Sequence, residues 1–272
     1  MDSLAQSLRR HVEHLAARER NTDLETPARY IEAELGAGCR RQEYPSGGRM
    51  VRNIELGEGP VVVGAHYDTV PGSPGADDNA SGVAALLELA RAVPPGRVRF
   101  VAFANEELPY SHGEEMGSFV YARRARERGE RISAMFSLEM LGCYSDAPGS
   151  QRYPPVIGWF YPDRADFIAF VGDLGARRLV KRSHALFRRH SDFPSQSLAA
   201  PAFVPGVTRS DHWSFRRHGF PAVMVTDTAF NRYPHYHRAT DTPEKLDYQR
   251  MARVTLGLAG MLGELASEHL DR

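Results

Sequence analysis

Several things are scarce in this sequence, and each scarcity removes a class of explanation. There are only two cysteines, Cys39 and Cys143, far apart and in no CxxC pattern. A disulfide-dense scaffold is therefore excluded, and two free thiols in a reducing compartment are expected. Neither sign of charge is in surplus, since Lys+Arg and Asp+Glu both number 34. No nucleic-acid partner is expected from such a balance, and there is no acidic tail. No apolar run is long enough to span a bilayer, so no membrane association is expected. The N-terminal stretch MDSLAQSLRRHVEHLAARER reads as a charged amphipathic helix and not as a signal peptide. A cytoplasmic location is the corresponding expectation. Internal repeats and low-complexity linkers are also missing. The 272 residues are expected to form a single domain spanning 1–272. No dimerisation insert is visible, so a monomer is expected.

What is present alternates between two periodicities. Residues 3–18 and 25–35 have helical spacing, with Leu4, Leu8, Val12 and Leu15 on one face. Val51–Leu56 alternates like a half-buried strand. Val61–Ala65, Val98–Ala104, Ala134–Leu138 and Pro221–Val225 are short continuous apolar runs, as buried strands should be. Val156–Phe160 reads as a further strand. Residues 80–92, 116–128 and 163–177 read as helices. An irregular stretch holding Pro194, Pro201 and Pro205 follows, and a long helix is expected from Thr242 to about Leu265, opened by Pro243. Strands alternating with helices imply an α/β fold, a three-layer sandwich whose mixed, mostly parallel central sheet is covered by helices on both faces. Sites in such sheets gather at the carboxyl ends of the strands.

The polar clusters of this sequence fall at such ends. Val61–Ala65 runs into His66-Tyr67-Asp68, Val98–Ala104 into Asn105-Glu106-Glu107, and Ala134–Leu138 into Glu139. Pro221–Val225 is followed by a loop carrying His235-Tyr236-His237, and Asp77-Asp78-Asn79 lies between the first of these strands and its helix. Each feature alone has a plainer reading. His66 can be a hydrogen-bonded core histidine, Asp77-Asp78-Asn79 a helix cap, and Glu106-Glu107 a solvated loop pair. His237 alone says nothing. Glu139, directly after an apolar strand, is harder to place on a surface. Together they bring two imidazoles and several carboxylates to one sheet edge. Clustered carboxylates repel one another unless cations or protons intervene, and this mixture of nitrogen and oxygen donors suits zinc.

The order of these segments resembles the M28 family of zinc metallopeptidases, which includes bacterial secreted aminopeptidases. GAHYDTVPGSPGADDNASG resembles the family's first metal motif, FANEEL its Glu-Glu pair, SLEMLG the strand bringing the next carboxylate, SDHWSF the segment before the last core strand, and HYHRATDT the closing histidine motif. The resemblance implies that Asp78 bridges two zinc ions. His66 and Glu139 would complete one metal site, and Glu107 and His237 the other. It also implies Glu106 as general base, Asp68 as the partner that orients His66, and Tyr236 as an oxyanion donor. His237 is preferred over His235 because Asp241-Thr242 follows it at the family's spacing.

The implied activity is that of an exopeptidase, an aminopeptidase acting on small peptides, with two zinc ions per chain or one if Glu139 weakens its site. The family more often has Asp where this chain has Glu139. The Pro109–Glu115 loop is longer than usual, and its His112, Glu114 and Glu115 read as solvated. Asp211 and His212 are implied to fix a loop behind the site. Two rival readings use the same fold: a single-zinc glutaminyl cyclase, against which DDNASG stands, and a carboxypeptidase or amidohydrolase, for which Arg209 would be a carboxylate ligand. A non-catalytic binding module is disfavoured because every site position holds a competent residue. Phe103, Tyr110, Met140, Phe203, Trp213, Phe230 and Tyr233 are candidate walls of an apolar or aromatic pocket.

Overall fold

A computed structural model describes residues 1–94, 96–154 and 157–267. Among them, eight strands form one sheet: β1 (Arg40–Ser46), β2 (Arg49–Gly57), β3 (Val61–His66), β4 (Val98–Phe103), β5 (Ala134–Glu139), β6 (Ile168–Asp173), β7 (Ser195–Ala200) and β8 (Ala222–Thr226). Their spatial order is β1-β2-β4-β3-β5-β8-β6-β7. The central four, β4, β3, β5 and β8, run parallel to one another. β2 joins β4 and β6 joins β8 in antiparallel fashion, and β7 lies parallel to β6 at the far edge.

The sequence accounts for this arrangement. β3, β4, β5 and β8 are buried along their whole length, as strands covered on both faces must be, and each is a continuous apolar run apart from single residues. Gly64 in β3 is required by close approach, because a Cβ there would lie 2.2 Å from the ring of Phe103 on β4. The polar strand β1, RRQEYPS, lies at one edge, where charged side chains remain in water.

Helices cover both faces. On one side lie α1 (Asp2–Leu15), α2 (Glu25–Leu35), α3 (Gly82–Ala92), α5 (Arg177–His190) and α7 (Tyr248–Ser267), packed on Val61, Val63, Phe100, Phe136 and Val223. Leu8, Val12 and Leu15 of α1 point into that core, as their spacing predicts. On the other side, α4 (Gly117–Glu127) and α6 (His212–Arg217) pack Tyr121, Ala122 and Phe215 on Val62, Val101 and Phe103. No helix among the described residues is long and apolar enough to cross a membrane.

Three local expectations fail. Residues 163–177 do not form a helix: they hold β6 and the short 3-10 turn Leu174–Ala176, and the helix begins at Arg177. The apolar spacing of Phe167, Ile168, Phe170 and Val171 fits both periods, and sheet pairing decides it. Ile157–Phe160 is a 3-10 turn with Trp159 and Phe160 exposed, not a strand, and Val156 lies outside the described residues. The closing helix is shorter than expected, because Pro243–Lys245 forms a separate 3-10 turn before α7. In addition, the irregular stretch contains β7, a short run of small and polar residues.

Candidate metal centre

The four parallel strands end side by side, and their ends converge. His66 closes β3, Glu139 closes β5, and Glu106-Glu107 follow β4 by a short turn. Asp78 sits in a π-type turn, Ala76–Ser81, that leads into α3, and His237 comes from the loop after β8. Left-handed backbone occurs at three non-glycine residues at or beside these positions: Asn105 (φ 59°), Met140 (φ 51°) and His237 (φ 57°). Such conformations persist where surrounding contacts over-determine them.

The central feature is the way Asp78 divides its two oxygens. Oδ1 lies 3.3 Å from His66 Nε2, and Oδ2 lies 3.0 Å from His237 Nε2. His66 Nε2 is also 3.4 Å from Glu139 Oε2, while His237 Nε2 is 3.3 Å from Glu107 Oε1. Two donor sets therefore flank one shared carboxylate. Donors about 2.0–2.1 Å from a tetrahedral zinc lie roughly 3.3 Å from one another, which is the spacing seen here. Single ligand atoms of His66, Asp78 and Glu107 also fall within 4.8 Å of each other. His66 Nδ1 and Glu107 Oε1 are buried with no hydrogen-bond partner among the described residues.

The electrostatics give the same answer. Burial alone would lower the pKa of His66, but Glu139, Glu106, Asp68 and Asp78 hold it well above its usual value. Burial likewise opposes protonation of His237, yet the adjacent carboxylates of Asp78 and Glu107 push it up to about 10. Burial, reinforced by Asp78, raises Glu107 to about 7. Burial also raises Glu139, and it lifts Glu106 well above the carboxylate range, with Glu107 and Glu139 adding to it against the pull of His66. Without a metal, the cluster draws in protons to offset its negative charge. A divalent ion would supply that charge instead, so the donor set fits zinc.

A ring of buried hydrogen bonds fixes the donors. Asp68 Oδ1 and Oδ2 accept from the backbone N–H groups of Glu106 and Glu107, each at 3.0 Å. Its Oδ1 stands 3.5 Å from His66 Nδ1, longer than a good hydrogen bond. Its firmer grip is thus on the two glutamates. Asp241 repeats this device, accepting from the N–H groups of Asp77 and Asp78. Ser210 donates to Glu139 Oε2 at 2.7 Å, with Ser137 behind it. Asn79 accepts from Met140 N and donates to Leu138 O, pinning the Asp78 turn to the end of β5. Asp77 faces away, accepting from Gly142 N beside Asp227.

The remaining candidates sort by geometry. His235 bonds Thr240 Oγ1 and His237 bonds Asp78 Oδ2, so His237 is the histidine that reaches the cluster. His112 bonds the Thr208 carbonyl, and Glu115 accepts from Ser46 and Gly47, so both serve their own loop, while Glu114 is exposed. His212 bonds the Val207 carbonyl. Asp211 is fully buried, with neither oxygen hydrogen-bonded among the described residues, and burial pushes it up to about 7. An apolar cavity opens beside Glu139 and Tyr236, walled by Phe167, Val171, Leu198, Val207, Met224 and Phe230. Of the seven expected wall residues, only Phe230 lines it. Phe103 is committed to the core, Trp213 packs on His112 and Phe119, Tyr233 bonds Asp241, and Phe203 points to solvent. The residues that reasoning from sequence missed are Arg20, Ser210 and Asp241. The spacing of Asp241 after His237 and the place of Ser210 at the head of SDHWSF are the only signals that mark any of them.

Similarity to known proteins agrees with this geometry. YfbL of Escherichia coli (strain K12), an uncharacterized protein, is 42% identical over 261 residues, covering 88% of this chain and 80% of its own. A probable leucine aminopeptidase of Arthroderma benhamiae is 30% identical over 223 residues, covering 76% of this chain and 54% of its own. The chain thus spans just over half the length of that aminopeptidase. Among solved structures, LapB from Legionella pneumophila superposes with a TM-score of 0.75 at 19% identity, covering 96% of this chain and 72% of that one. BSAP, a zinc aminopeptidase from Bacillus subtilis, gives 0.59 at 25% identity, covering 80% and 51%. A glutaminyl cyclase of Fimbriiglobus ruber gives 0.66 at 21% identity, covering 95% and 94%, and so shares the fold. Residues 50–262, which carry all the strand-end donors, match peptidase family M28, and the chain belongs to that family and is a peptidase.

Proposed function

We propose that the protein is a zinc-dependent aminopeptidase that removes apolar N-terminal residues from small peptides. The observation that carries this reading is the split of the Asp78 oxygens between two donor sets. In it, His66, Glu139 and Asp78 would hold one zinc ion, and His237, Glu107 and Asp78 would hold the other. Zinc held there supplies Lewis acidity toward water and the scissile carbonyl.

The chain's own groups do the rest. Glu106 Oε2 lies 3.9 Å from His66 Nε2, close to the donors. Its raised pKa suits it to take a proton from the attacking water and return it to the leaving amine. Asp68 holds that carboxylate in place through the Glu106 N–H. The ring of Tyr236 stacks on His237 at 3.7 Å, and burial among carboxylates keeps its phenol protonated, a donor for the developing oxyanion. The apolar cavity beside Glu139 and Tyr236 receives the N-terminal side chain. The probable leucine aminopeptidase at 30% identity supports the reaction, and the zinc aminopeptidase BSAP supports both the metal and the reaction.

The test is zinc stoichiometry by mass spectrometry after loading and removal of loosely bound ion, run beside cleavage of a leucyl peptide and its N-acetylated form. About two ions per chain, with only the free amine cleaved, is expected. About one ion, with cyclisation of an N-terminal glutaminyl peptide, would replace this reading with the cyclase. Release of C-terminal residues would replace it with a carboxypeptidase.

A further inference from the structure

Arg20 is 2% exposed, and burial lowers its pKa to about 10, still charged at neutral pH. Among the described residues it makes no ion pair. Instead its guanidinium is satisfied by backbone carbonyls. Nε donates to Tyr67 O at 2.8 Å, Nη1 to Leu15 O and Pro74 O at 2.7 Å each, and Nη2 to Gly75 O at 2.9 Å. Its own backbone N–H donates to Thr69 Oγ1 at 2.8 Å. A buried cation without a carboxylate partner is costly unless such bonds compensate it.

The identity of these carbonyls is informative. Tyr67 stands between His66 and Asp68, while Pro74 and Gly75 immediately precede the turn that carries Asp78. Leu15 is the end of α1, whose C-terminal carbonyls favour a cation. One planar fork therefore ties the segment bearing His66 and Asp68 to the segment bearing Asp78. The packing leaves no slack, since a Cβ on Gly75 would lie 2.2 Å from Asp78 O and 3.0 Å from Arg20 Nη2.

We infer that Arg20 is a positioning residue for the metal centre: its guanidinium clamps the 67–75 loop so that His66 and Asp78 meet with the spacing a metal ion needs. The inference rests on the zinc reading above. The fork geometry is the active element, not the charge, because lysine offers a point charge and cannot span carbonyls on both segments.

The test compares wild type with Arg20→Lys. Zinc affinity of the metal-free chains is measured by competition with a chromophoric chelator, and the visible spectrum of the cobalt-loaded chains reports donor geometry. The clamp predicts a loss of zinc affinity of about 10–100-fold, the usual effect of removing a group that orients metal ligands, and a shifted cobalt spectrum, with unchanged far-ultraviolet circular dichroism. Zinc affinity within about twofold of wild type overturns the clamp, even if Arg20→Lys melts earlier. Should Arg20→Lys not fold, Arg20→Gln, whose single short amide cannot span the Tyr67 and Gly75 carbonyls, carries the same test: a weaker zinc site and an altered cobalt spectrum support the clamp, and wild-type values for both overturn it. Failure of the wild-type chain to bind zinc overturns the metal reading and the clamp together. Normal binding by wild type and variant overturns the clamp alone.

Discussion

At the scale of the residue, two buried carboxylates have opposite fates. Asp78 sits between two imidazoles, and despite burial its pKa falls below the usual range. Glu106, beside it, is driven the other way. The proposed ligands Glu107 and Glu139 are raised as well, so position marks Glu106 for the acid–base role: its Oε2 stands 3.9 Å from His66 Nε2, farther from that imidazole than Asp78 or Glu139. Glu106→Gln should therefore keep metal and lose turnover by about 10²–10⁴-fold. A variant with near wild-type kcat would sink the assignment.

Asp211 offers a second test at this scale. Its folded-state pKa of about 7 lies above its ordinary value of 3.8, chiefly through burial. The folded chain then holds a proton that the unfolded chain has released. That stabilisation is complete below about pH 4 and is lost as pH rises through 7. In denaturant titrations of the metal-free protein, Asp211→Asn should gain on wild type as pH rises from 4 to 7, by up to about 4 kcal/mol. Parallel stability curves would refute it. Residues of this kind also mark where the sequence falls silent. His66, Glu107 and Glu139 announced themselves because each follows an apolar strand. Arg20 lies in the arginine-rich loop that follows α1, and only the packed structure distinguishes it from its solvated neighbours.

At the scale of the element, legibility followed burial. β3, β4, β5 and β8 were readable as apolar runs because both faces are covered. β1 was missed because an edge strand has no need of an apolar pattern, and β7 because its residues are small and polar. β6 reads as a helix in the sequence because its apolar residues satisfy either period until a neighbour pairs with it. The turn from Ser73 to Ser81 has a tight requirement of its own. Gly75 has φ +62°, and a Cβ would strike the Asp78 carbonyl oxygen at 2.2 Å and the Thr69 methyl at 2.4 Å. Gly75→Ala should cost roughly 1–3 kcal/mol of stability and weaken zinc binding along with it. An unchanged urea midpoint would show that the turn can relax.

At the scale of the whole molecule, the metal should act as a structural bond. Zinc at 100-fold its dissociation constant adds about 2.7 kcal/mol to folding. For a chain of this size that raises Tm by roughly 5–10 °C, and a chelator should reverse it in calorimetry. Identical transitions with and without zinc would exclude the proposed centre.

The spacing of the donors along the chain adds a clock to this picture. His66, Asp78 and Glu139 have all been synthesised 98 residues before His237 emerges, counting from 139 to 237. At about 5–20 residues per second, that is a delay of roughly 5–20 s. One half of the centre can therefore be complete on the ribosome while the other still lacks its histidine. If the two donor sets hold zinc as proposed, the His237 half is the last to receive its donors, and a peptidase that needs both halves stays silent until residue 237 has been made.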